Sequence, residues 1–173
     1  MFTTSSTCEH LHDVQHFTVH DITERLTAAK EQCRASGVRF TPLRRQIYQL
    51  VLAANKPVGA YDLITQLQQA RLLDSDNEIG IAKNVAPPTV YRSLEFLLEE
   101  GLIHQLTSIN AYVPCCHPRA QHTAAFLICD ECQRVQECSS LPVQEMMSFA
   151  EQDVGFKVAR SVIELSGRCQ SCQ

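Results

Sequence analysis

Residues 87–106, PPTVYRSLEFLLEEGLIHQL, decide the fold of this 173-residue chain. The two prolines pre-set a helix start, because their fixed φ suits a first turn whose N–H groups have no partner anyway. Val90, Leu94, Leu97 and Leu98 follow at i, i+4, i+7 and i+8, the spacing of one apolar stripe. Gly101 ends the helix. GLIHQL (101–106) and AYVPC (111–115) then read as short strands parted by Thr107, Ser108, Ile109 and Asn110, the pattern of a hairpin. With the stripe turned inward, Thr89, Tyr91, Arg92 and Glu95 face outward.

Upstream, DITERLTAAKEQCRAS (21–36) predicts a helix with Asp21 as N-cap, Glu24 three residues later and Gly37 as the stop. Thr41 caps a second helix, with Pro42 at its first position and Ile47, Leu50 and Val51 on one face. After a turn at 56–59, AYDLITQLQQARLL (60–73) predicts a third, directing Leu63, Ile64, Leu67 and Leu72 to a core. Residues 74–86 are polar and contain glycine, which predicts an exposed loop. Three helices, a proline-led fourth and a hairpin give the order of a winged helix-turn-helix, in which the last helix before the hairpin enters the DNA major groove. Arg92 is suited to a two-pronged contact with guanine O6 and N7, and Tyr91 to thymine methyls or a phosphate. A plain helical domain with a surface arginine shares the pattern.

Composition is that of an ordinary soluble globular protein, 45% hydrophobic and 20% charged. No apolar run nears the roughly 20 residues of a membrane helix. The N-terminus lacks a basic start with an apolar stretch behind it, so no secretory signal and a cytoplasmic location are expected. The net charge of −4 weighs mildly against a nucleic-acid partner. Residues 21–106, however, carry ten Lys/Arg and ten Asp/Glu, which confines the acidic excess to the two ends. Arg34, Arg39, Arg44 and Arg45 form either a phosphate-facing cluster or a solvated helix face.

Nine cysteines, an odd number, favour metal ligation over disulfides in a reducing compartment. Seven of them fall between Cys115 and Cys172, so a cysteine-rich half follows a cysteine-poor one. There HTAAFLIC (122–129) reads as a strand entering a Cys-Asp-Glu-Cys knuckle, from which RVQEC (134–138) returns. LPVQEMMSFAEQDVG (141–155) predicts a helix with Val143, Met146, Met147 and Ala150 spaced for burial, and FKVARSVIELSG (156–167) alternates like a half-buried strand. A unit this small needs a metal staple or a partner chain. The expected division is a flexible arm over 1–20, a winged-helix domain with hinge over 21–114, and an α/β metal-binding domain over 115–173.

Cys129-x-x-Cys132 and Cys169-x-x-Cys172 are two knuckles whose four thiolates can complete a tetrahedral zinc shell. A redox-active pair is the alternative, weakened because neither knuckle opens a helix. His104, Cys115, His122 and Glu137 form a second, mixed nitrogen, sulfur and oxygen set, suited to a sensor site joining the two domains. Its thiolate biases it toward zinc over ferrous iron. Singly, each residue has an ordinary reading: His104 capping a strand, Cys115 as a small core residue, Glu137 as a surface acid. Cys116 and His117 could replace or supplement Cys115, while Cys138 reads as buried or idle. Cys8, His10, His12, His16 and His20 make a loose set in the arm, read first as a solvated tail.

RFTPLRRQIYQLV (39–51), GAYDLITQL (59–67), PPTVYRSLEFLLEEGLIHQL and the paired knuckles resemble the ferric uptake regulator family, over residues 22 to 172. AYDL with HTAAFLICDEC (122–132) is similar to its zinc uptake regulator branch. The resemblance implies a homodimer of α+β subunits, each an N-terminal winged helix followed by a small α/β dimerisation domain. It further implies a zinc-loaded dimer that binds a palindromic double-stranded operator and represses zinc-import genes. Carried over by position, a structural zinc falls on Cys129, Cys132, Cys169 and Cys172, and a regulatory zinc on His104, Cys115, His122 and Glu137. DNA-reading positions fall on Tyr61, Tyr91 and Arg92, beside the outward-facing Thr89. The 74–86 loop is long for the family.

Three other classes compete. An iron or peroxide sensor of the same fold is disfavoured by Cys115. An enzyme, such as a zinc hydrolase or a thiol oxidoreductase, is the next: hydrolysis needs an open coordination position and a nearby general base, whereas both sets can close with four protein ligands, and there is no Gly-rich phosphate loop or nucleophile elbow. Neither a small-molecule substrate nor a membrane is therefore expected. A zinc-stapled protein-interaction module is favoured by the acidic net charge alone.

Overall fold

The computed structural model describes residues 11–14, 17–73, 85–118, 125–138, 141–157 and 163–173. The elements are β1 (Leu11–Asp13), α1 (Val19–Ala35), α2 (Pro42–Ala53), α3 (Ala60–Leu73), α4 (Pro87–Glu99), β2 (Ile103–Leu106), β3 (Ala111–Pro114), β4 (Ala125–Cys129), β5 (Val135–Cys138), α5 (Leu141–Ser148) and β6 (Ile163–Gly167). A π-helical turn extends α5 over Phe149–Asp153, and a 3-10 turn closes the chain at Gln170–Cys172. The chain divides into two compact units, residues 15–119 and residues 1–14 with 120–173.

The first unit is four helices and a hairpin. α1 begins two residues earlier than its sequence predicts, because Thr18 rather than Asp21 is the N-cap. The Thr18 hydroxyl accepts from the Asp21 N–H at 3.2 Å, while the Asp21 carboxylate accepts from the Thr18 N–H at 2.8 Å. This reciprocal capping box holds the Asp21 carboxyl below its ordinary range, through the hydrogen bonds from Thr18. Thr41 caps α2 as its sequence implies, with Pro42 in the first turn.

α4 ends in a Schellman motif at Gly101, whose φ of +65° is the left-handed conformation that glycine adopts without strain. Gly101 N–H donates to the Leu98 carbonyl at 3.0 Å and Leu102 N–H to that of Leu97 at 2.9 Å. The chain thereby turns directly from α4 into β2. β2 and β3 pair antiparallel, with Ile103 opposite Pro114 and Leu106 opposite Ala111. A bridge between Val58 and Tyr112 ties the start of α3 to the hairpin, which completes a winged-helix arrangement. Val90, Leu94 and Leu97 are buried with Ile47, Val51, Leu63 and Leu67 in one core. Residues 74–84 of the expected loop lie outside the described residues, while Val85, expected to be exposed there, packs into that core.

The second unit is a four-stranded sheet in the order β1-β5-β4-β6. β5 pairs antiparallel with both β1 and β4, and β6 runs parallel to β4. β1 and the start of α1 both lie within the expected arm of residues 1–20. β1 is three residues long, too short to show a period, and it forms by pairing with β5. Its neighbour Val14 is fully buried and donates its N–H to the Val135 carbonyl. The helical prediction for 141–155 holds in outline, but its burial pattern does not. Met146 is exposed and Met147 and Ala150 only half-buried, because nothing among the described residues covers that side.

Candidate metal centre and nucleic-acid interface

The parallel pairing of β4 with β6 explains how two distant CxxC motifs meet. Register places Cys129, the last residue of β4, opposite Gly167, the last residue of β6. Both strands point the same way, so the segments that leave them emerge side by side. Asp130 N–H donates to the Gly167 carbonyl at 2.8 Å and fixes that juxtaposition. Gln133, in the left-handed region with φ of +60°, turns the first knuckle back toward β5.

The Sγ atoms of Cys129, Cys132, Cys169 and Cys172 all lie within 4.8 Å of one another. Cys132 and Cys169 are 3.7 Å apart, far from the ~2.0 Å of a disulfide. A tetrahedron with metal–sulfur bonds of about 2.3 Å has edges of about 3.8 Å, so this spacing fits zinc. Charge distribution in the cluster agrees. The Cys129 thiol is pulled down to about 6 by backbone N–H groups of Cys132 and Cys169, the latter 3.3 Å from its sulfur. Hydrogen bonding to the Cys169 and Cys132 sulfurs pushes Cys172 up to about 12. A thiolate and proton-sharing thiols at this spacing are the donor set that a divalent cation replaces protons to bind.

Of the second predicted set, His104 and Cys115 lie together in the first unit. His104 is in β2, Cys115 follows β3, and a ring nitrogen of His104 lies within 4.8 Å of the Cys115 sulfur. Cys115 is 1% exposed, and its N–H donates to the Leu102 carbonyl at 3.1 Å. Glu137 belongs to the second unit, on β5, and is also 1% exposed. A carboxylate that deep is tolerated only with charge or hydrogen-bond compensation, which fits a metal ligand. His122 lies outside the described residues, as do Cys8, His10 and His16. Among the neighbours, Cys116, His117 and Cys138 are half-buried. His20 is on α1, where it pairs with Glu24 at 3.2 Å on the exposed face.

Thr89, Tyr91, Arg92 and Glu95, expected from the sequence to face outward, are exposed on α4. Tyr61, in the first turn of α3, is 80% exposed, unusual for an aromatic without a partner to meet. Arg34, Arg39 and Arg45 are exposed, but Arg44 is not available to a phosphate in the same way. Its guanidinium lies over the Phe96 ring, and it donates to the Arg39 carbonyl. Phe96 lies off the apolar stripe of α4, and an aromatic in that position is the signal that another element covers it. Arg25 was also missed by sequence reasoning. It donates to the Cys115 carbonyl at 2.8 Å, and no period or motif marks it. No helix among the described residues is long and apolar enough to cross a membrane.

The sequence model of the ferric uptake regulator family matches residues 35–166. The zinc uptake regulation protein of Escherichia coli K12 is 35% identical over 150 residues, covering 86% of this chain and 81% of that protein. A solved structure of a zinc uptake regulator complexed with zinc and DNA is 34% identical, with a TM-score of 0.77, over 90% of this chain and 96% of its own. The holo form of XcZur is 35% identical with a TM-score of 0.72, covering 86% of this chain and 96% of its own.

Proposed function

The chain belongs to the ferric uptake regulator family, and from that premise we propose that it is a zinc-responsive, DNA-binding repressor of zinc-uptake genes. The observation that carries the reading is its likeness, over nearly its whole length, to a regulator solved with zinc and DNA. The family is one of transcription regulators, so no catalytic chemistry is assigned. Its partners are double-stranded operator DNA and a second copy of itself, and a cytoplasmic site of action follows from the DNA.

Residues 21–114 act as the DNA-binding domain and residues 115–173 as the dimerisation domain. Exposed Phe149, Val154, Phe156 and Leu165 support the second role, since apolar side chains so placed need a covering surface. α4 enters the major groove, with Thr89, Tyr91 and Arg92 toward the bases and Tyr61 of α3 beside them.

Two zinc sites serve each subunit. Cys129, Cys132, Cys169 and Cys172 hold the structural one, stapling β6 to β4 in a sheet too small to stand unaided. His104, Cys115, His122 and Glu137 hold the regulatory one. Zinc there supplies a divalent charge that gathers thiolate, imidazole and carboxylate donors without redox chemistry. Gathering these donors on one ion orders the segments that carry them. That raises the fraction of dimers able to present both α4 helices to half-sites about one DNA turn apart. A coupling of about 3 kcal/mol corresponds to a switch of roughly a hundredfold.

A mobility-shift titration on palindromic, AT-rich operator DNA tests the reading, with free zinc buffered and ferrous iron as comparison. A sequence-specific shift that requires zinc supports it. A shift indifferent to zinc, or one restored by ferrous iron alone, overturns it.

A further inference from the structure

Arg25 reaches from α1 to the segment that carries Cys115. Its Nη1 donates to the Cys115 carbonyl at 2.8 Å and its Nη2 to the Cys116 carbonyl at 3.4 Å. The guanidinium also lies over the Phe17 ring, 4.3 Å from its centroid. From the other side, Cys115 N–H is held by the Leu102 carbonyl, two residues before His104. Both ends of the Cys115 residue are thus fixed, one by a helix of the DNA-binding unit and one by the base of the hairpin. All of these contacts lie within the unit of residues 15–119.

We infer that Arg25 is a positioning residue for the regulatory metal: it pre-sets the Cys115 thiol and couples α1 to metal occupancy. The inference rests on the reading of Cys115 as a regulatory ligand. A planar guanidinium can satisfy two adjacent carbonyls with a fixed fork, which an ammonium cannot. Phe17 beneath it keeps the fork from swinging into solvent. Without the clamp, metal binding has to order the segment itself, and that cost is subtracted from affinity. Outer-shell partners of metal ligands typically change affinity by about 10- to 100-fold when removed. The coupling runs both ways, so a metal drawn to Cys115 also restrains α1.

Full-length dimer is titrated with zinc against a competing chelator, and separately with cobalt(II), whose thiolate charge-transfer and d–d bands report tetrahedral sulfur coordination. Arg25→Met keeps an unbranched side chain but removes the guanidinium and with it every donor. It is expected to weaken the second metal equivalent by about tenfold or more, leaving the first equivalent and its four-thiolate bands unchanged. Arg25→Lys is expected to recover part of the loss. A brace for the fold alone would lower the melting temperature without moving second-site affinity. Second-site affinity within about twofold of wild type in Arg25→Met overturns the inference, whatever the melting temperature does. If Arg25→Met does not fold, unchanged second-site affinity in Arg25→Lys overturns it equally. Cys115→Ser separates the two layers. Loss of the second equivalent there, with none in Arg25→Met, defeats the role of Arg25 alone, whereas its retention defeats the assignment of the site.

Discussion

The guanidinium of Arg44, on α2, lies over the ring of Phe96, on α4, 3.5 Å from the ring centroid. Phe96 stands one turn after Arg92 on α4, at i+4 and off the apolar stripe, so the contact ties α2 to the side of the helix that also carries Arg92. Such stacking contributes about 0.5–2 kcal/mol, depending on how dry it is. Arg44→Ala is expected to cost about 1 kcal/mol in chemical denaturation and to lower operator affinity without changing which sequence is preferred. Arg44→Lys should recover little, because the planar stack is lost. Unchanged stability in both variants contradicts this account of how α4 is held.

Arg92 is exposed and holds nothing in the core, so its removal should leave folding intact. Arg92→Ala is expected to weaken operator binding by about 1–3 kcal/mol and to relax preference at one base pair per half-site. Binding to a panel of operators with single substitutions checks this. A uniform loss across all sequences marks a phosphate contact instead.

Cys129→Ser removes one of four donors from a cluster that holds β6 to β4. Structural zinc contributes on the order of 10 kcal/mol to the folding of small metal-stapled units. The sheet is therefore expected to melt while residues 15–119 keep their own core. Circular dichroism should show partial loss of structure, and the zinc content should fall by at least one ion per subunit. A fully folded variant with zinc retained contradicts the assignment.

The capping box at the start of α1 carries a pH dependence. The Asp21 carboxyl is held below its ordinary value of 3.8 by the Thr18 hydrogen bonds. A lowered folded-state value means that its stabilisation is fully present above about pH 4 and is lost as pH falls through the folded-state value. Asp21→Asn should therefore narrow the stability difference between neutral and acid solution. An unchanged acid-side melting profile contradicts the box.

Much of this was legible in the sequence. α2 and α4 announce themselves through apolar period and proline starts, and the hairpin through its four-residue turn. The two knuckles specify a four-thiolate centre by spacing alone, because two-residue spacers leave little freedom. What escaped has physical reasons. β1 exists through pairing with β5, which no local pattern encodes. The Thr18 cap was displaced to Asp21 because both are good N-caps and Glu24 offered a competing box. Met146 looks like a core residue in sequence because period does not say which neighbour supplies the cover. Arg44 reads as surface charge and no pattern marks Arg25, although the guanidinium of each lies over an aromatic ring and donates to backbone carbonyl oxygen.

Under the proposed function, the site containing Cys115 makes operator binding depend on zinc. Fluorescence anisotropy of labelled operator, with wild type and Cys115→Ser compared across buffered free zinc, tests it most directly. Wild-type affinity is expected to gain roughly a hundredfold as zinc rises, while a folded, dimeric Cys115→Ser stays weak throughout. A Cys115→Ser protein that tightens on operator at the same zinc concentration as wild type contradicts it.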